Sequence, residues 1–83
     1  MSYTYILKLA NGKYYVGSTY NLKNRIAEHN SGLDFYTKQH LPVKLVYYEE
    51  HQTKEEAAKR EYQIKKWSRE KKEKLISGEW TKI

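Results

Sequence analysis

The chain has 83 residues, room for one domain and no more. It contains no cysteine, which excludes a disulfide framework and any thiolate metal site. Sixteen lysines and arginines against ten acidic residues give a net charge of +6, a balance suited to a polyanionic partner such as DNA, RNA or an acidic membrane surface. No apolar run approaches the roughly 18–20 residues that cross a bilayer. The opening MSYTYILKLANGK lacks the basic stretch and long apolar core of a signal peptide, so the expected location is cytoplasmic. A domain this small buries only about 60–65% of its unfolded surface. The nine tyrosines and two tryptophans are therefore expected to supply the bulk of the packing.

Residues 3–9 (YTYILKL) are rich in aromatic and β-branched types and predict a strand. Asn11-Gly12 is a turn signal, and residues 13–17 (KYYVG) predict the returning strand of a hairpin. A helix follows, capped by Asn21, with Leu22, Ile26 and His29 on one face and Gly32 at its end. Residues 33–42 read as irregular, with Pro42 ahead of a third strand over 43–49. Thr53-Lys54-Glu55-Glu56 fits a capping box and starts a helix running to about Trp67. Ser68 caps a last short helix and Gly78 stops it. The expected class is α+β: a three-stranded sheet flanked by helices, in the order β-β-α-β-α-α, forming one domain over 1–83.

Three features depart from a bland small domain. On the helix that starts at Thr53, the apolar stripe is Ala57, Ala58, Ile64 and Trp67, and Glu61 falls on the same face. A carboxylate there is costly to bury without a partner. It is either paired with an arginine at the core edge or reserved for a hard cation such as Mg²⁺. Arg25 and His29 are i and i+4 neighbours beside Ile26. They are either a surface pair or a guanidinium and an imidazole presented to one phosphate. The hairpin tyrosines depend on loop length. A two-residue Asn11-Gly12 loop puts Tyr5 and Tyr15 on opposite faces; a three-residue Ala10-Asn11-Gly12 loop, with Gly12 left-handed, puts them on one. The residues permit both registers.

Tyr3-Thr4-Tyr5 and Tyr15-Val16-Gly17, joined by a hairpin, resemble the two name-giving motifs of the GIY-YIG nuclease superfamily. Arg25 follows Tyr15 by ten residues and His29 follows Arg25 by four, and Glu61 stands where the family places its metal-binding glutamate. The resemblance runs from about Tyr3 to Ile76 and is similar to the compact catalytic part of structure-specific endonucleases that cut branched DNA. The first motif lacks its Gly and Ile, Ser18 stands where some members carry lysine, and no asparagine follows Asn30. The resemblance implies the same α+β fold and selects the three-residue loop, because the two motif tyrosines share a site. It implies metal-dependent hydrolysis of DNA phosphodiesters. Glu61 would hold one Mg²⁺ or Mn²⁺ and Arg25 would stabilise transition-state charge. Tyr5 would serve as base or positioner of water, with Tyr15 and His29 orienting water and phosphate.

Basic residues concentrate from Lys59 to Lys74, where Lys59, Arg60, Lys65, Lys66, Arg69, Lys71, Lys72 and Lys74 are candidates for backbone phosphate contacts. No recognition helix, zinc finger or RNA-binding sheet motif is present to read bases. Recognition of branched or distorted DNA by shape, or targeting by a partner protein, is the expectation. A non-catalytic nucleic-acid-binding or docking module on the same fold is the alternative. A membrane-surface role fits poorly, because Glu61, Glu70 and Glu73 interrupt the basic helices.

Overall fold

The computed structural model describes residues 1–34 and 37–78. Its hairpin pairs β1 (Ser2–Lys8) with β2 (Tyr14–Thr19). The Leu9 amide donates to the Lys13 carbonyl at 2.8 Å and the Gly12 amide to the Leu9 carbonyl at 2.9 Å, closing a three-residue loop. Gly12 has φ 85°, a conformation that costs glycine nothing and other residues a clash at Cβ. This register sets Tyr5 opposite Gly17 and Leu7 opposite Tyr15, so both tyrosines share one face.

The remaining elements are α1 (Leu22–Asn30), a short 3₁₀ helix at Lys38–His40, β3 (Lys44–His51), α2 (Lys54–Lys65) and α3 (Arg69–Ser77). The sheet is antiparallel with order β2-β1-β3, so β1 is central. The chain is thus α+β in the order β-β-α-β-α-α, with the 3₁₀ helix inside the segment expected to be irregular.

Alternation along β1 builds two cores. Tyr5, Leu7, Leu9 and Val43 pack with Leu22 and Ile26 of α1. Ile6 and Val16 pack on the other face with Ile64 of α2 and Leu75 of α3. The Thr4 hydroxyl, fully buried, donates to the Ala57 carbonyl at 2.7 Å and straps α2 to the central strand. Each helix begins on a local cap: Asn21 accepts from the Asn24 amide, Thr53 and Glu56 form the full capping box, and Ser68 accepts from the Lys71 amide. Gly78 ends α3 with φ 84°.

Three expectations change. The apolar stripe of α2 is narrower than the spacing suggested: Ala57 and Ile64 are buried, but Ala58, turned about 100° from Ala57, is exposed. α2 also stops at Lys65, short of Trp67. The core is mainly aliphatic. Among the described tyrosines only Tyr5 is buried, and the others form rims or lie exposed because a thin domain has no interior wide enough for more rings. Tyr36, Trp80 and the last five positions of the expected 1–83 domain lie outside the described residues. Among the described residues, no helix is long and apolar enough to cross a membrane.

Candidate active site

The site is organised around Tyr5, which is 1% exposed in the middle of the central strand. The hydroxyl end of its ring packs against Gly17 of β2: a Cβ at position 17 would sit 2.5 Å from the phenol oxygen. Glycine is required there by close approach, since its φ is not left-handed. The phenol oxygen is 3.1 Å from Nε2 of His29, which α1 delivers into the core with no exposed surface. Nδ1 of the same ring is 2.9 Å from Oγ1 of Thr37, itself fully buried. The Thr37 hydroxyl donates to Oδ1 of Asp34 at 3.5 Å, and the Thr37 amide donates to that oxygen at 3.1 Å. Oδ2 of Asp34 accepts from Arg25 Nη2 at 3.0 Å, and Arg25 Nη1 donates to Glu28 at 3.1 Å. Tyr15 stands edge-on to the His29 ring, 5.1 Å between centroids. Arg25 and His29 are therefore not a surface pair. They are two ends of one hydrogen-bonded chain.

Protonation follows from burial and from Arg25. Burial pushes the Tyr5 phenol up to about 12, with the Arg25 guanidinium opposing and the Tyr15 and Glu61 charges adding. Tyr15 is raised as well, by burial and then by Asp34. Burial lowers the His29 pKa, and the Arg25 charge lowers it further. For Arg25 burial works against the charge, but the Tyr5 and Glu28 interactions outweigh it and the pKa is raised. At neutral pH the site holds two neutral phenols, a neutral imidazole and a charged guanidinium.

Glu61 comes from α2, on the opposite face of the sheet, and meets the others around the β2 edge. Ser18, next after Gly17, donates its hydroxyl to Oε1 at 2.7 Å. Lys65 Nζ lies 2.7 Å from Oε2. The carboxylate is 21% exposed, so it sits at the margin of the stripe, and its pairing cation is a lysine rather than an arginine. Among the described residues, no cluster of three or more His, Cys, Asp or Glu side chains could enclose a metal. A lone carboxylate still fits a hard divalent ion, which keeps several waters and takes few protein ligands. Among the described residues, its Oε2 pairs with Lys65 and its Oε1 accepts from Ser18.

The basic residues spread over several surfaces. Arg60 donates to Glu49 at 2.9 Å and covers the Trp67 ring, Lys66 covers Tyr62, and Lys71 covers Trp67. Arg69 pairs with Glu73 and donates to the Gly12 carbonyl, and Lys74 approaches Glu70 at 3.7 Å. Lys59 lines a shallow recess with Glu50 and Glu56. Lys65 and Lys72 line a recess of about 490 Å³ with Tyr14 and Tyr15, directly beside the tyrosine face. Of the basic candidates, these two share a recess with Tyr15. Sequence reasoning did not single out Asp34 and Thr37, and it noted Ser18 only as a departure. One local signal was available: an aspartate three residues before a threonine whose amide it can accept, as Asp34 does.

The β-β-α-β-α-α frame points to a class. A profile of the GIY-YIG catalytic domain matches residues 1–74, and the chain belongs to the GIY-YIG family, part of a nuclease superfamily. Its relatives within that family are small UPF0213 proteins. One from Staphylococcus saprophyticus is 51% identical, with 90% of this chain and 93% of that one covered. One from Clostridium perfringens is 49% identical, covering 94% and 85%. A solution NMR structure of a UPF0213 protein from Bacillus halodurans is 42% identical with a TM-score of 0.60, covering 93% of this chain and 84% of that one.

Proposed function

We propose that this protein is a divalent-metal-dependent endonuclease that hydrolyses DNA phosphodiester bonds, with branched or otherwise distorted DNA as its substrate. What supports the reading is the buried Tyr5–His29 contact, with the Arg25 guanidinium and the Glu61 carboxylate both near enough for their charges to act on the Tyr5 phenol. A binding module has no use for a phenol held against a neutral imidazole in its core.

In this mechanism Arg25, kept charged and pinned by Asp34 and Glu28, stabilises the negative charge that grows on the phosphate. Tyr5 positions the attacking water and takes its proton. Because burial keeps the phenol protonated, its own proton must leave, and His29 Nε2 is the acceptor in contact. Tyr15 orients water and phosphate at the rim. Glu61, steadied by Ser18, is the ligand for Mg²⁺ or Mn²⁺, which when bound would neutralise charge on the scissile phosphate and leaving oxygen. Lys65 and Lys72 hold a neighbouring backbone phosphate in their recess, which adds affinity without sequence preference.

A second reading, a non-catalytic docking module, has one observation in its favour: both Glu61 oxygens are engaged by protein donors. The two readings separate on cleavage of labelled flap, junction and duplex DNA with Mg²⁺ or Mn²⁺, alongside a chelator control and a binding assay. The nuclease reading expects metal-dependent cutting that falls at least about 100-fold in Glu61→Ala while binding persists. Binding without any cutting by the wild type makes the docking module the better account. Undiminished cutting by Glu61→Ala removes Glu61 from the site.

A further inference from the structure

Two groups behind the site are not fully used by the reaction as described: the buried Thr37 hydroxyl has no role in it, and the partly exposed Asp34 carboxylate only pins Arg25. A neutral imidazole carries one proton, and which nitrogen holds it decides whether His29 can accept from Tyr5. If the proton were on Nε2, that nitrogen would be a donor, and Tyr5 would have nowhere to send its own.

The surroundings of Nδ1 bear on the choice. Nδ1 is 2.9 Å from Thr37 Oγ1. A hydroxyl has one proton to donate, and an ionised carboxylate can only accept. Asp34 Oδ1 faces the Thr37 hydroxyl at 3.5 Å, within reach of its proton, and the Thr37 amide on the same oxygen keeps the two residues in register. The hydroxyl's remaining capacity toward His29 is as an acceptor, which calls for hydrogen on Nδ1 and leaves a lone pair on Nε2 facing Tyr5, 3.1 Å away.

We propose that Thr37 and Asp34 are positioning residues that lock His29 in its Nδ1–H tautomer, so that Nε2 is the proton acceptor for Tyr5. The lock itself is a statement about the resting protein; its catalytic consequence rests on Tyr5 being the base. In the reaction, water gives a proton to the Tyr5 oxygen while the phenol's proton passes to Nε2. The water oxygen bonds to phosphorus as the bond to the leaving oxygen breaks, and that oxygen takes a proton from solvent. His29 becomes an imidazolium whose Nδ1–H still points along Thr37 to the Asp34 charge. Asp34 also anchors Arg25 through its other oxygen, so one carboxylate orients both the charge-stabilising group and the proton acceptor.

The test is imidazole nitrogen NMR on the full ¹⁵N-labelled chain at pH 7, which reads the tautomer whether or not the protein cuts DNA. Wild type should show a protonated Nδ1 and a bare Nε2 at His29. Thr37→Val, nearly isosteric, should lose that preference, and Thr37→Ser should restore it. Cleavage by Thr37→Val should fall at least about tenfold at unchanged DNA affinity, below the ~10²–10⁴ a general base contributes in full, with recovery in Thr37→Ser. A proton on Nε2 in wild type, or an unchanged tautomer in Thr37→Val, overturns the lock. A shifted tautomer with undiminished cutting overturns its catalytic role. If the tautomer responds as expected and no protein cuts, the lock stands and the nuclease reading falls.

Discussion

Two polar clusters in this domain are built from nearly the same parts and wired differently. On the α1 face are Tyr5, His29, Asp34 and Arg25; on the α2 face are Tyr47, His51, Glu49 and Arg60. In the second cluster the tyrosine, the arginine and the histidine all donate to one carboxylate. Glu49 accepts from the Tyr47 hydroxyl, from Arg60 Nε at 2.9 Å and from His51 Nε2 at 3.0 Å. Burial works to raise its pKa, but these donors outweigh burial and hold it below the usual carboxylate range. The Tyr47 phenol is pushed up to about 12, as Tyr5 is, yet it donates to a group that is a poor base. Tyr5 donates to an imidazole, ordinarily the stronger base of the two. What separates a proton relay from a structural knot is therefore the acceptor opposite the phenol, not the presence of Tyr, His, acid and Arg together.

The sharpest way to break that comparison is to remove each phenol in turn. Tyr5→Phe should lower the cleavage rate by about 10²–10⁴ with DNA binding kept, whereas Tyr47→Phe should leave the rate unchanged. Equal rates in the two variants would erase the distinction. A smaller effect comes from the floor beneath Tyr5. Gly17→Ala places a methyl 2.5 Å from the phenol oxygen, and the crowding should cost about 1–3 kcal/mol in urea unfolding. The same variant should keep the His29 tautomer, which Thr37 and Asp34 set on the far side of the ring, with the Glu49 cluster undisturbed.

The smallest effect distinguishes the clusters by pH. His29 has a folded pKa below its unfolded value of about 6.5, so the unfolded chain binds the extra proton first. Its contribution is complete above pH 6.5 and is lost as pH falls through the lowered pKa. Glu49 is also depressed below its unfolded value of about 4.5, so its contribution is present above that pH and lost as pH falls through the folded pKa. Wild-type stability should decline in two stages on acidification. Glu49→Gln should cost about 1 kcal/mol at pH 7 and remove only the lower stage. A single decline common to both proteins would show that the clusters do not titrate separately.

Most of the frame was legible because its signals are local. Asn21, Thr53, Ser68 and Gly78 each mark a helix end through a hydrogen bond or a backbone angle set within three residues. The hairpin was readable down to two registers, and what chose between them was the shared tyrosine face the family pattern implies. The partners inside the site were not legible in the same way. Ser18 reaches Glu61 across 43 positions, and Thr37 reaches His29 from beyond the end of α1. Helical periodicity also misplaced Ala58, because a stripe one residue wide cannot be told from a broader one without the sheet it packs on.

The central position of β1 has a consequence for how the chemistry is controlled. Tyr5 is paired with Gly17 on one side and Tyr48 on the other, and its ring is sealed under α1. Its amide hydrogen should then exchange with solvent only when the whole domain opens, at a rate that reports global stability. A base held this way has no local breathing motion that could withdraw it. Activity would then be governed by what reaches the β2 edge, and a lost active site would mean a lost fold.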